Sequence, residues 1–396
     1  MSVRNLLSAA AVRRQAEHML DLALADRLDD WSVDLARLPA AADLTAAVIR
    51  DQYPTLEVPF HARWRHFTLD GRDLWTEAAE GLSGAARARA AFDLAITSVL
   101  LDAGSGPAWA FHDPVTGATV RRSEGLGIAS FRLFQAGGFS ADPNDPLRAD
   151  AKVLARFDAA KLATAFQVGE ANPLVGLEGR AALLRRLGEA ALVRADLFAL
   201  KDAARPGGLY DLLASRAIDG RLPAPRILEA VLEGLGPIWK GRPVIDGVAL
   251  GDTWRHPVAG LTPLHKLSQW LSYSLIEPLQ AAGIEVVDID GLTGLAEYRN
   301  GGLFIDTGVL TPTDPTALRR SHAVESPLVV GWRSLTVALL DRIAPMVRER
   351  LGVSAEAFPL ARVLEGGTWA AGRRIAAEKR PGGGPPLTII SDGAVF

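Results

Sequence analysis

The chain of 396 residues contains no cysteine. Disulfides, thiol nucleophiles and Cys-ligated metal sites are therefore excluded, and the absence agrees with a reducing compartment. Its 7 histidines form no His/Asp cluster at metal-ligand spacing, so neither a metal nor another cofactor is expected. No apolar stretch reaches the roughly 18 residues that a membrane-spanning helix needs. The opening MSVRNLLSAAAVRRQAEHMLDLAL lacks the uninterrupted apolar core of a signal peptide, because Arg13, Arg14, Glu17 and His18 break it. An amphipathic first helix is expected there instead, in a soluble, cytoplasmic protein with no membrane partner. A net charge of −3 supplies no basic field, so general nucleic-acid binding is not expected. Also missing are GxxxxGK[ST], HExxH, GxSxG, internal repeats and strand-helix alternation, and no feature fixes an oligomeric state.

What is present is material for a sizeable core, 48% hydrophobic against 22% charged residues. Apolar residues recur at spacings of three and four along 3–24, 41–52, 86–103, 150–168, 207–219, 224–235 and again after Pro327. This pattern predicts a mainly α fold. In the last of these helices Leu339, Ile343, Met346 and Val347 are expected on the buried side. One β-hairpin is expected near 108–122, turning at Asp113-Pro-Val-Thr-Gly117. Asn172 to Leu187 reads as a glycine-bearing turn opening a helix, either an ordinary αα corner or a helix-hairpin-helix likeness. The expected division is an N-terminal helical lobe with the hairpin (1–145), a helical lobe carrying the site (146–378) and a flexible C-terminal tail (379–396).

The most informative stretch is 261–310. Leu264, Leu267, Leu271 and Leu275 form one helical stripe; His265, Gln269 and Ser272 form a second, polar face, with Lys266 and Tyr273 beside it. Pro278 should end this helix near Glu277. Asp290 is expected to cap a second helix closed by Gly301-Gly302, leaving Glu297, Arg299 and Asn300 in its last turn. Elsewhere, FHARWRHF at 60–67 is too polar for a core and too aromatic for a free loop. Its Arg63 and Arg65 either grip an anion or pair with acids on the surface. Asp102 and Glu124 flank the hairpin, as pocket carboxylates or as helix caps. A glycine-held loop carries Asp252, Trp254, Arg255 and His256.

FHARWRHF, SVLLDAGSGPAW, RRSEGLGIASFRLF, PLHKLSQWLSYSL and LTGLAEYRNGGLFIDTGVL resemble the uracil-catabolism protein 4 family of fungi and bacteria. That resemblance implies a role in the ring-opening route of uracil breakdown, where uracil is first made a nucleotide and a ribosylated urea lies downstream. More distantly, three segments are similar to the queuosine-salvage nucleoside 5′-phosphate N-glycosidases, helical proteins related in fold to DNA glycosylases. The segments are Asp102 to Trp109, Lys266 to Leu275, and Leu292 to Arg299. This likeness implies a two-lobed, DNA-glycosylase-like, helix-hairpin-helix-related fold. Glu297 and Ser274 stand where that family has aspartates.

Together these imply hydrolysis of a (phospho)ribosyl-urea-type compound to urea and ribose or its phosphate. Cleaving a C–N glycosidic bond builds positive charge on the ribose and needs a nearby carboxylate, with a general base for water. Glu297 and Asp252 are the expected catalytic pair, with His265 or His256 near the leaving group. Arg63, Arg65, Lys266 or Arg299 would hold a phosphate. His66, Asp102, Arg122, Glu124, Gln269 and Tyr298 complete the expected substrate-binding set. Two alternatives stand beside this: a non-catalytic nucleotide-binding or scaffold protein, favoured by Ser274, and an amidohydrolase acting on the ring-opened intermediate.

Overall fold

A computed structural model describes residues 3–201 and 203–390, and they form a mainly helical protein. The helix Lys266–Ala281 packs against both Gly84–Leu100 and Ala224–Leu235. Its leucine stripe is buried as the spacing predicts, but Ser268, Gln269, Ser272 and Ser274 are buried as well. The polar face therefore lies in the core rather than on a cleft. Its hydroxyls are satisfied locally: Ser272 Oγ donates to Ser268 O at 2.8 Å and Ser274 Oγ to Trp270 O at 2.9 Å. The helix also continues through Pro278 instead of ending at Glu277. Proline has no N–H to offer Ser274 O, and the Trp64 indole N–H donates to that oxygen at 2.6 Å. A tertiary partner thus replaces the missing helical bond.

The long helix Pro327–Leu351 packs on Ala9–Leu24 and Leu38–Gln52. Leu339, Ile343 and Val347 are fully buried on it, while Met346 is only partly so. One hydrophobic cluster runs from Ala9 to Leu387, so the N-terminal helices share their core with residues beyond 146. The helix expected over 150–168 is broken into Ala151–Leu154 and Ala159–Ala165, the second restarted by Asp158, which accepts Ala160 N–H at 2.9 Å. Among the described residues no helix is long and apolar enough to cross a membrane.

The hairpin pairs Ala110–His112 with Thr119–Arg121, Phe111 opposite Val120. Buried Asp113 holds its turn, accepting Thr116 N–H at 3.1 Å and both prongs of Arg132 at 2.8 and 2.9 Å. It is not alone, since the described strands make seven two-stranded sheets. The excursion at 239–256 contributes Val244–Ile245 with Val248–Ala249, and Thr253–His256 with Gly260–Pro263. Strands of two to four residues are too short for an alternating pattern to register. The segment expected to be a flexible tail is packed as far as it is described. Arg380 forks onto Asp306 at 2.7 and 2.5 Å, Leu387 is fully buried, and Thr388–Ile390 pairs in parallel with Ser321–Ala323. Residues 391–396 lie outside the described residues.

Candidate functional site

A cavity of about 400 Å³ opens where residues near 61–66, 102–107, 122–124, 266–270, 295–299, 365–373 and 383–389 meet. Glu297 reaches it from a segment that is fastened one residue at a time. Gln269 Nε2 donates to Thr293 Oγ1 at 2.8 Å and the Tyr273 hydroxyl to Thr293 O at 3.0 Å. Gln269 is therefore a core residue that fixes the approach to Glu297 and does not line the cavity. Asp290, expected to cap the next helix, accepts instead from Arg348 and from Leu360 N–H, each at 2.6 Å. Glu297 is itself the cap of Tyr298–Asp306, accepting the N–H groups of Arg299 at 2.7 Å and Asn300 at 2.5 Å. It thus precedes the first turn instead of lying in the last. Gly301 and Gly302 are inside this helix, where a Cβ on Gly301 would sit 2.6 Å from Trp332 Nε1. Burial pushes the Glu297 pKa up, opposed by the two amides and by Lys266.

Lys266 begins the Lys266–Ala281 helix, and Asp252 holds that start by accepting Lys266 N–H at 3.0 Å. Asp252 also accepts Arg333 at 3.0 and 2.8 Å and Trp254 Nε1 at 2.7 Å. Burial opposes its ionisation, but Arg333 and the hydrogen bonds outweigh burial and hold the carboxyl well below the usual range. Every oxygen of Asp252 is thus occupied, and it lies off the cavity. The Lys266 side chain is on the cavity and makes no hydrogen bond or ion pair among the described residues. Burial pulls its pKa down, opposed chiefly by Glu297 and Asp102.

Two expected imidazoles are elsewhere. His265 lies within 2.9 Å of Leu6 O through Nε2, in a left-handed backbone conformation of φ 47° that turns the chain into the helix. His256 Nδ1 accepts the N–H groups of Val258 and Ala259 at 3.3 and 3.2 Å. Arg65 pairs with Glu277 at 2.6 Å, also away from the cavity. Arg63 is fully buried behind the wall, donating to Asp102 Oδ1 at 2.8 Å and Ser98 Oγ at 2.7 Å, so its charge is spent on holding Asp102. Asp102 accepts from Ser123 Oγ too, at 3.0 Å.

His66, Asp102, Arg122, Glu124, Lys266, Glu297, Tyr298 and Arg299 do come together on the one cavity. Burial, with Arg63 beside it, pushes the His66 pKa down to about 3, so its imidazole is neutral at pH 7. Glu124 pairs with Arg373 at 3.0 Å, and Arg299 Nη1 donates to Gly383 O at 2.8 Å. Burial pushes the Tyr298 pKa up.

Sequence reasoning missed several lining residues. His61, within FHARWRHF, is one; its Nδ1 is 2.6 Å from Glu365 Oε2. Trp270, Glu365, Trp369, Arg373 and residues of the chain at 383–389 are further ones. The loop 101–107 has an unforeseen organiser in Arg180. That buried guanidinium donates to the carbonyls of Leu101 (3.1 Å), Ala103 (2.6 Å), Gly104 (3.2 Å) and Val175 (2.7 Å). Among the described residues no group of three or more His, Asp or Glu is placed to hold a metal ion.

The family model described as "Protein of unknown function (DUF1688)" matches residues 5–396. The chain belongs to this family. It is 36% identical over 409 residues to Protein urg3 of Schizosaccharomyces pombe, covering 100% of this chain and 99% of that protein. It is likewise 36% identical over 410 residues to Uracil catabolism protein 4 of Lachancea kluyveri, covering 92% of each. Every cavity-lining segment, from His61 to Ile389, falls within the span that the family model matches.

Proposed function

We propose that this family member acts in uracil catabolism, in keeping with the name of its Lachancea kluyveri relative, and that it hydrolyses the N-glycosidic bond of a (phospho)ribosyl-urea-type compound. Urea and ribose, or its phosphate, are the products. The observation that carries the reading is Glu297: a buried carboxylate on the cavity, oriented by two backbone amides and free of any guanidinium ion pair among the described residues. Such a group can stabilise the positive charge of an oxocarbenium-like transition state and accept the proton of the attacking water. Lys266 beside it offers an uncommitted cation for a phosphate or other anionic substituent. Trp270, Tyr298 and Trp369 supply flat apolar walls suited to a sugar and a planar urea group.

The motif likeness at 102–109, 266–275 and 292–299 supports the same reaction class. It extends the proposal to a DNA-glycosylase-like arrangement of two lobes divided near residue 145. The proposed site of action is the cytoplasm, with a small ribosyl compound as the partner. The test is direct. Purified protein is incubated with ribosylurea and with its 5′-phosphate, and urea and reducing sugar are measured. Stoichiometric release of both is expected from at least one substrate, and release of neither overturns the reading.

A further inference from the structure

We infer that His61, oriented by Glu365, is the general acid that protonates the departing urea nitrogen, an assignment that rests on the N-glycosidase reading above. A urea nitrogen leaves poorly as an anion, so bond cleavage calls for a proton donor on the leaving-group side. His61 is on the cavity and only 7% exposed. Its Nδ1 lies 2.6 Å from Glu365 Oε2; a carboxylate can only accept, so Nδ1 carries the hydrogen. Nε2 is then the atom left to exchange a proton, and it has no protein partner among the described residues. The ring is held between two tryptophans, with centroids 6.2 Å from Trp270 and 6.4 Å from Trp369. Its backbone N–H donates to Ala361 O at 3.0 Å, tying it to the short helix Leu360–Val363 that leads into Glu365.

Glu365 itself sits on the π-helical turn Leu364–Thr368. An inserted residue of this kind re-aims the side chains that follow, and such turns are frequent at functional sites. Among the charged and titratable groups around His61 are Glu365 at its Nδ1, Glu297 and neutral His66, with Lys266 and Arg373 on the same cavity. A charge on His61 is felt by both Glu297 and His66. The two roles thus fall to two residues of the same cavity, one oriented imidazole for the nitrogen and one oriented carboxylate for the sugar and water.

The step balances as follows. The C1′–N bond breaks, its electron pair stays on the urea nitrogen, and the proton of His61 Nε2 moves to that nitrogen. A water oxygen bonds to C1′ and gives its proton to Glu297. Exchange with solvent returns one proton from Glu297 and restores one to His61.

The experiment compares wild type, His61→Gln, Glu365→Gln and Glu297→Gln on ribosylurea and on a nitrophenyl riboside of matching anomer and phosphorylation, whose leaving group departs without protonation. His61→Gln is expected to lose about 100- to 10,000-fold on ribosylurea and under about tenfold on the nitrophenyl compound. Glu297→Gln is expected to lose comparably on both. Wild-type turnover of ribosylurea by His61→Gln, or equal losses on the two substrates, overturns the assignment while leaving the N-glycosidase reading intact. Failure of wild type on both substrates overturns that reading itself. Should His61→Gln melt before assay, Glu365→Gln carries the test: a loss confined to ribosylurea supports the dyad, and unchanged turnover of ribosylurea rejects it.

Discussion

Asp252 and Glu297 make an instructive pair. Both are buried carboxylates, and both cap the start of a helix by accepting backbone N–H groups. Asp252 also carries a two-pronged ion pair to Arg333 and a bond from Trp254, and its pKa is held down. Among the described residues Glu297 has its two amides and the fields of Lys266 and His61, and burial pushes its pKa up. A carboxylate at a helix start is thus a locked structural anion at Asp252, reached from 14 residues away, while the N-cap Glu297 is the one we propose as reactive. The difference is set by whether a guanidinium arrives from elsewhere in the chain.

Glu297→Gln probes the member proposed as reactive and should show the largest effect. Turnover of ribosylurea should fall about 100- to 10,000-fold, the range for losing one electrostatic or general-base group. The amide can keep only one of the two cap bonds, so stability should also drop by about 1 kcal/mol. Unchanged turnover at full folding would remove the case for Glu297. Asp252→Asn probes the locked member. It leaves Arg333 buried without its counter-charge, and a urea titration should show a loss of about 3–5 kcal/mol. Adding Arg333→Met to that variant should recover part of the loss, because neither partner is then left alone. Additive losses would mean that the pair is not a coupled unit. Lys266→Met lies between the two carboxylates in sequence logic, begun by one and facing the other. If its ammonium holds an anion, binding of the phosphorylated substrate should weaken by about 1.5–3 kcal/mol, the value of a charged hydrogen bond. The unphosphorylated substrate should bind nearly as before, and equal weakening of both would place the phosphate elsewhere.

How far the sequence foretold this contrast depends on the reach of the interactions. Helical periodicity located the Lys266–Ala281 and Pro327–Leu351 helices, and the turn chemistry of Asp113–Gly117 located the hairpin. Of the polar-aromatic segments expected to share a cleft, 60–67, 102–124 and 297–300 reach one cavity, whereas 252–269 contributes only Lys266. What local reasoning could not reach was the identity of each charge's partner. Asp252 looked available because Arg333 lies 81 residues away in sequence. Pro278 looked like a terminator because Trp64, 210 residues distant from Ser274, supplies the replacement hydrogen bond. Glu365 carried no periodic signal because its role depends on a π-turn, and the glycine- and proline-rich chain at 381–386 looked mobile because its packing partners are tertiary. Asp290 was expected to cap the helix that Glu297 caps, because its partners Arg348 and Leu360 are distant in sequence and carry no local signal.

The smallest effect, and the sharpest test of the contrast, is the dependence of stability on pH. A carboxyl whose pKa is lowered by folding contributes stability that is present above its unfolded value, about 3.9 for aspartate, and lost as pH falls toward the folded value. Asp252 is of this kind. A carboxyl whose pKa is raised by folding behaves oppositely. Below its unfolded value, about 4.3 for glutamate, it imposes no cost; as pH rises toward the folded value the native state must accept a charge it disfavours, and stability falls. Glu297 is of that kind. Unfolding free energies of wild type, Asp252→Asn and Glu297→Gln, measured between pH 3 and pH 7, should therefore diverge in opposite senses. The advantage of wild type over Asp252→Asn should shrink as pH falls below about 4. Its advantage over Glu297→Gln should shrink as pH rises above about 4.3. Neither slope can exceed about 1.4 kcal/mol per pH unit, the limit for one proton. Two differences tilting the same way would show that the carboxylates are electrostatically alike, and the argument for giving Glu297 the chemistry would lose its basis.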